Sequence, residues 1–155
     1  MAEIEYYYQN LPAENVYGHT KKLKFILNVI AAKIKKCENR VKVLDFGCGN
    51  GSAVSKYIIN MDIDYVGVDI HEPSLNYAQY NFSASNACFF NSIPKDSVFD
   101  VIIYADFLEH VKQPEEYLKE HSKHLDKDGV IVGSIPNKFG PFEIEERFNR
   151  FFKIN

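Results

Sequence analysis

The segment VLDFGCGNGS, residues 43–52, places three glycines within five positions directly after a short apolar run. An apolar run of this length is typical of a buried β-strand, and residues 52–60 have a helical pattern. Gly47, Gly49 and Gly51 therefore predict a tight strand-to-helix turn whose bare backbone can approach a ligand. A glycine-rich turn can also serve chain geometry alone, so the residues around it must decide between the two interpretations.

The remainder of the chain alternates short apolar runs with helical patterns. Helices are predicted over 20–36, 52–60, 73–82 and 114–125, and strands over 41–46, 65–69, 87–91, 99–104 and 130–135. The DKDG segment, 126–129, is expected to turn the chain into the last strand. Strands separated by helix-length connections favour parallel pairing through right-handed crossovers. The expected fold is a doubly wound, mostly parallel α/β sheet.

Size and composition favour a single domain over 1–155, with an arm or lid over 1–19, a core over 20–137 and a tail over 138–155. The net charge of -3 gives no support for binding nucleic acid or an anionic membrane. Three cysteines without metal-ligand spacing indicate free thiols and a cytoplasmic location. No apolar run is long enough to cross a bilayer.

Asp45, two residues before the first glycine, indicates the charge of the ligand. A carboxylate about 4 Å from a pyrophosphate would repel it by roughly 4 kcal/mol at an effective dielectric near 20. The same carboxylate would attract an ammonium or a sulfonium, and S-adenosylmethionine carries both and lacks phosphate. The spacing G-x-G-x-G also differs from the dinucleotide fingerprint G-x-G-x-x-G, which counts against the alternative of a dinucleotide-dependent oxidoreductase.

Two further polar residues end neighbouring predicted strands. Asp69 closes the second strand, where a carboxylate can accept both hydroxyls of a ribose. Asn91 ends the third strand, where its amide could pair with an adenine edge. A strand-ending aspartate can instead cap a turn. The alignment of Asp45, Asp69 and Asn91 at adjacent strand ends favours a nucleoside site.

Four segments carry a resemblance to a known family. VLDFGCGNG, YVGVDI, FDVIIYADFLEHV and LDKDGVIVGSIPN resemble the motifs of class I S-adenosylmethionine-dependent methyltransferases, over residues 20–137. The LEHV sequence is similar to that of small-molecule O-methyltransferases such as those of ubiquinone biosynthesis. The resemblance implies a Rossmann-like fold and methyl transfer from S-adenosylmethionine to an oxygen or nitrogen of a small-molecule acceptor.

The resemblance also implies a cofactor site. Its residues would be Asp45, Gly47, Cys48, Gly49, Gly51, Asp69, Ile70, Asn91, Ser92, Ala105 and Phe107. Asp45 would lie near the amino group, Asp69 on the ribose and Ile70 against the adenine. The Ala105 carbonyl would lie beside the sulfonium, and Phe107 would form an apolar wall.

The loop after the fourth strand holds the predicted catalytic residues. His110 could act as general base for a hydroxyl acceptor and Glu109 could orient it, or both could cap or pack at the start of the next helix. Asp106, Glu109 and His110 also form a D-x-x-E-H spacing, similar to the E-x-x-E-H pattern of small-RNA 2′-O-methyltransferases that use a divalent metal. The aspartate substitution and the lack of a fourth ligand count against a metal, so no metal ligand is assigned.

The family sheet has seven strands, and its last two form an antiparallel hairpin. Residues 138–155 are too short and too helix-like for that hairpin, so the fifth strand is expected at an exposed edge. The aromatic tail, a homodimer partner or another chain could cover that edge. This departure supports an alternative function, an inactive or truncated methyltransferase-like binding module that acts with a partner chain.

Overall fold

The computed structural model describes residues 19–134, with the His19 side chain left out. These residues cover most of the predicted core. The predicted arm over 1–19, apart from the His19 backbone, and the predicted tail over 138–155 lie outside the described residues. Two further expectations concern the same residues: that the antiparallel hairpin of the family is missing, and that the aromatic tail could cover the edge of the fifth strand.

Five strands form one parallel sheet. They are β1 (Val41–Phe46), β2 (Ile63–Val68), β3 (Ala87–Phe90), β4 (Phe99–Ala105) and β5 (Leu125–Ser134). Their order is β3-β2-β1-β4-β5, and every neighbouring pair is parallel. The predicted doubly wound, Rossmann-like α/β fold is thereby confirmed. In this order β1 lies between β2 and β4, which brings the carboxyl ends of these three strands together at one edge of the sheet.

Within residues 19–134, four α-helices flank the sheet: α1 (His19–Ile34), α2 (Ser55–Ile58), α3 (Glu72–Phe82) and α4 (Pro114–His121). The helix predicted over 20–36 is confirmed as α1, in which Leu23, Leu27 and Ile30 are fully buried. Burial of each such side chain contributes about 1.5 to 3 kcal/mol. Within residues 19–134, no helix combines the length and apolarity that a bilayer span requires.

The core has two parts because the side chains of each strand alternate between the two faces of the sheet. On one face Val41 and Val43 of β1 pack with the buried residues of α1, α2 and α3. On the other face Leu44 packs with Ile102 of β4 and with the partly buried Leu118 of α4. The two layers fix β1 in the centre, so the turn after this strand is held on a rigid support.

The helix predicted over 52–60 is wrong in its length, since α2 has only four residues. The turn continues to Val54, where Tyr57 N–H donates to Val54 O at 2.9 Å. Val54 and Ile58 are both buried, 2% and 0% exposed. These two apolar residues, four positions apart, lie on the same buried face, and this spacing does not require a helix longer than one turn.

The predicted turn over 126–129 is also wrong. Those residues lie within β5, because Leu125 already pairs with Phe99 and Val130 pairs with Val101. The four residues between them bulge against β4, an irregularity that lets turn-forming residues sit inside a strand. The preceding α4 ends at His121 rather than near Leu125, and a short 3-10 turn over Ser122–His124 leads into β5.

Candidate functional site

The turn after β1 has the left-handed backbone that its glycines predicted. Gly47, Gly49 and Gly51 have φ values of 78°, 56° and 78°. Residues with a Cβ avoid this region at a cost of about 1 to 2 kcal/mol. The N–H groups of Gly47 and Cys48 both donate to the carbonyl of Val68, at 2.8 and 3.0 Å. The turn is thus anchored to the end of β2.

The three glycines differ in what a side chain would meet. A Cβ on Gly47 would lie 2.5 Å from the ring of Phe107, and one on Gly51 would lie 2.6 Å from the ring of Phe82. A Cβ on Gly49 would meet no described atom within 4 Å. The protein's own rings therefore fill the space at the first and third glycines, and open space for a ligand lies at Gly49.

Asp69 joins the glycine turn to the chain after β2. Its Oδ2 accepts a hydrogen bond from Gly49 N–H, and its Oδ1 accepts one from His71 N–H, each at 2.8 Å. Each carboxylate oxygen has two lone pairs, so each can also accept a hydroxyl proton. The arrangement suits a ribose diol and at the same time fixes the turn.

Asp45 is a buried carboxyl with one unused oxygen. The residue is 1% exposed, and its Oδ2 accepts a hydrogen bond from the Tyr65 hydroxyl at 2.8 Å. Its Oδ1 is buried and accepts no hydrogen bond from any described residue. Burial raises the pKa of Asp45 to about 7. A cationic donor placed at Oδ1 would relieve both the missing hydrogen bond and the cost of the buried charge.

The remaining predicted cofactor residues lie around these two acids. Cys48 is buried, and burial together with the charge of Asp45 raises the pKa of its thiol, which keeps the group neutral. Ile70 is 87% exposed beside Asp69. Asn91 and Ser92 are also exposed, and Ser92 Oγ donates to Asn91 Oδ1 at 3.3 Å. Their adenine contacts stay predictions.

β4 ends at Ala105, which pairs with Ser134 of β5, and a loop follows it. Asp106 comes next with a φ of 55°, and its Oδ1 accepts a hydrogen bond from Ser134 Oγ at 2.7 Å. Its Oδ2 forms an ion pair with Lys22 of α1. The Asp106 carboxylate therefore links α1, β4 and β5.

Phe107 packs edge-on against Phe46, with ring centroids 5.0 Å apart, and lies over Gly47. It therefore forms an apolar wall of the glycine turn, and its predicted contact with a cofactor stays a prediction.

The predicted catalytic pair is exposed. His110 Nε2 lies 4.0 Å from Glu109 Oε1, and 75% of the His110 side chain is accessible to solvent. A base in this position is free to meet an incoming acceptor, and its role stays a prediction. The D-x-x-E-H spacing is not assembled as a metal centre: the described part of the chain holds no group of three His, Cys, Asp or Glu side chains that could bind an ion.

Sequence reasoning missed Lys22, Ser55 and Tyr65. Lys22 is one of several lysines on α1, and only the fold shows that its side chain is 12% exposed and paired with Asp106. Tyr65 of β2 pairs with Val43 of β1. Its hydroxyl therefore reaches Asp45, which lies two residues after Val43. The strand period would have placed Tyr65 on one face, but the pairing register was needed to identify its partner.

Comparisons with known proteins bear on the family of this chain. A family model described as "Methyltransferase domain" matches residues 17–152. Among curated proteins, the mRNA cap guanine-N(7) methyltransferase of Schizosaccharomyces pombe is 31% identical over 63% of this chain and 32% of its own length. A ubiquinone biosynthesis O-methyltransferase of Pelagibacter ubique is 27% identical over 63% of this chain and 43% of its own length. The chain thus spans less than half the length of these two relatives.

The solved structures show the same fold. The plantazolicin methyltransferase BpumL in complex with SAH superposes with a TM-score of 0.59, at 22% identity, over 84% of this chain and 51% of BpumL. The superposition shows a common fold.

Proposed function

The chain belongs to the class I S-adenosylmethionine-dependent methyltransferases, and from that premise we propose that it transfers the methyl group of S-adenosylmethionine to an oxygen or nitrogen of a small-molecule acceptor. The relatives that it resembles are longer than this chain, so the activity of the whole protein is part of the proposal.

The single observation that carries the proposal is the buried Oδ1 of Asp45, which accepts no hydrogen bond from any residue that the structure describes. A buried carboxylate oxygen without a donor is costly, and an ammonium group would supply both a proton donor and a positive charge. A phosphate at the same place would meet a like charge. The Asp45 carboxylate therefore fits the ammonium of S-adenosylmethionine better than it fits the phosphates of a dinucleotide.

The other site residues would bind the remainder of the cofactor. Asp69 would accept the ribose hydroxyls, and Ile70 with Asn91 and Ser92 would border the adenine. The open backbone at Gly49 would lie along the methionine part. Lys22, whose charge acts on Asp45, would complement the carboxylate of the same amino-acid moiety. Opposite charges side by side suit a zwitterion.

The cofactor, when bound, supplies a methyl group already activated by its sulfonium. The protein then has to align donor and acceptor, and orientation alone can supply roughly 7 to 11 kcal/mol of the barrier. In the proposal the Ala105 carbonyl and the Phe107 ring border the sulfonium. His110 accepts the proton of a hydroxyl acceptor, and Glu109 orients the imidazole.

The acceptor is proposed as a small molecule on the strength of the LEHV motif and the ubiquinone biosynthesis relative. The name of the cap guanine-N(7) methyltransferase describes methylation of a nitrogen, whereas the ubiquinone biosynthesis relative is named as an O-methyltransferase. The proposal therefore includes both acceptor atoms, and the test uses both kinds of acceptor. A net charge of -3 adds no general attraction for a polyanionic acceptor.

Calorimetric titration with S-adenosylhomocysteine tests the cofactor site, and methyl transfer to a panel of phenols, alcohols and amines tests the reaction. We expect binding by the wild-type chain and a loss of at least tenfold in affinity for Asp69→Ala, because two backbone donors and the ribose contact lose their acceptor. Tyr80→Phe, at a tyrosine that is 90% exposed, is the matched control and should bind normally. No heat with the wild-type chain, or full affinity in Asp69→Ala, would refute the proposal.

A second candidate function is a methyltransferase-like binding module that acts with a partner chain. It is favoured by the position of β5 at one end of the five-stranded order, where its outer edge pairs with no strand among residues 19–134. A homodimer or another chain would then extend the sheet. Sedimentation of the purified chain during turnover distinguishes the two, because a monomer that methylates an acceptor would exclude this candidate.

A further inference from the structure

Three buried side chains form a hydrogen-bonded chain that ends at the proposed ammonium site. Ser55 Oγ lies 2.6 Å from the Tyr65 hydroxyl, which in turn donates to Asp45 Oδ2 at 2.8 Å. Their exposures are 0%, 1% and 1%. Ser55 begins α2, Tyr65 belongs to β2 and Asp45 to β1. The two hydrogen bonds therefore connect three elements beneath the proposed site.

The direction of the hydrogen bonds follows from the chemistry of the groups. A phenol has one proton to give, and a bond to an ionised carboxylate is about twice as strong as one between neutral groups. Tyr65 therefore donates to Asp45 and accepts from Ser55. This arrangement occupies one carboxylate oxygen, fixes the rotation of the carboxyl group and leaves Oδ1 for another donor.

We propose that Tyr65, held by Ser55, is a positioning residue for cofactor binding, which favours the ionised form of Asp45 and turns the carboxyl group so that its second oxygen receives the ammonium of the cofactor. The inference rests on the proposed function and adds to it a residue that acts through Asp45 without touching the cofactor. Tyr65 also packs its ring on Phe89, with centroids 5.5 Å apart. A phenylalanine keeps that contact and removes the hydroxyl alone.

The charged and titratable groups that face Asp45 come from every neighbouring element. Lys22 of α1 favours its ionised form, whereas Asp69 after β2 disfavours it. Cys48 of the glycine turn lies in the field of both acids and stays protonated. The Tyr65 hydroxyl is the hydrogen-bond donor among these groups, and it too favours the carboxylate. Its removal should therefore move the protonation of Asp45 to higher pH.

The test measures S-adenosylhomocysteine affinity from pH 5.5 to 9 for the wild type, Tyr65→Phe and Asp45→Asn. In the wild type, affinity should rise through a midpoint near 7. In Tyr65→Phe the midpoint should move up by about 1 to 2 pH units, the worth of a hydrogen bond to a charged group. Affinity at pH 7 should then fall roughly five- to fiftyfold and recover towards pH 9. Asp45→Asn should lack the midpoint.

Tyr104→Phe is the matched control, because Tyr104 is also fully buried and its hydroxyl bonds to His121 on the opposite face of the sheet. It should lower stability without moving the midpoint. The carboxyl carbon shift of Asp45, followed by NMR in the free protein, gives a second readout that needs no ligand.

An equal loss of affinity at every pH in Tyr65→Phe, or an unmoved Asp45 titration, would overturn the positioning role while leaving the cofactor site intact. A wild-type chain that binds no S-adenosylhomocysteine at any pH would overturn the proposed function, and the positioning role with it.

Discussion

The buried carboxyl of Asp45 should make the stability of the protein depend on pH in an unusual direction. Most carboxyl groups stabilise a fold as they ionise, but burial raises the pKa of Asp45 from 3.8 to about 7. Between these values the folded state keeps a proton that the unfolded chain has lost. The free energy of unfolding therefore falls as pH rises from about 4 to about 7, and the loss is complete above the folded pKa.

The size of the effect depends on the pKa shift. A change of one pKa unit corresponds to about 1.4 kcal/mol, so this carboxyl destabilises the fold by about 4 kcal/mol at pH 8 and by about 2 kcal/mol at pH 5. Asp45→Asn has nearly the same shape, keeps an acceptor for Tyr65 and does not titrate. Relative to this variant, the wild type should lose about 2 to 3 kcal/mol of unfolding free energy between pH 5 and pH 8.

Urea unfolding of both proteins at pH 5, 6, 7 and 8 measures this difference. The subtraction removes the contributions of all other titrating groups, provided that both proteins unfold in two states with equal slopes. A difference that stays constant over this range would refute the reasoning, because Asp45 would then titrate at an ordinary pKa in the fold. Addition of S-adenosylhomocysteine should reduce the difference at pH 8, where its ammonium would compensate the buried charge.

Three further perturbations test separate parts of the site. Gly47→Ala should lower the free energy of unfolding by about 2 to 5 kcal/mol, because it combines a left-handed backbone with a clash against Phe107. Gly49→Ala has the backbone cost alone and should lower it by about 1 to 2 kcal/mol. Thermal or urea unfolding measures both. Equal losses would contradict the packing argument, and Phe107→Ala in the Gly47→Ala background should recover part of the cost. Asp69→Asn should weaken S-adenosylhomocysteine binding less than Asp69→Ala, because the amide oxygen keeps one backbone donor paired. His110→Gln should lower kcat for a hydroxyl acceptor by about 10² to 10⁴ and leave cofactor affinity unchanged, and an unchanged kcat would remove His110 as the base.

Much of the fold was predictable because its signals are local. The buried strands follow from short apolar runs and the amphipathic α1 from a period of 3.6 residues, and any sequence displays both directly. The glycine positions likewise report a left-handed backbone at the positions where they occur. Errors arose where a local pattern had two physical explanations. The spacing of Val54 and Ile58 fits one turn of helix as well as a long one, and the DKDG residues fit a bulge within β5 as well as a turn.

The candidate site was predictable in position and only partly in chemistry. Asp45 and Asp69 end two predicted strands that were expected to pair in parallel, so both were expected at one edge of the sheet, and the structure places them there. The sequence could not show that Asp45 is buried with one oxygen unpaired. Both properties depend on residues distant in the chain, such as Tyr65 of β2, which lies 20 positions away and pairs with the other oxygen.

The sequence by itself determined the layered α/β architecture, the glycine turn and the acidic strand ends, because steric freedom and hydrophobic period belong to single residues and their neighbours. Only the tertiary structure decided which groups share a hydrogen bond. Tyr65 meets Asp45 through the register of β1 and β2, and Lys22 meets Asp106 across 84 positions through the packing of α1 on the sheet. Contacts of this kind depend on where whole elements lie, since a hydrogen bond forms only when both partners are held within about 3 Å.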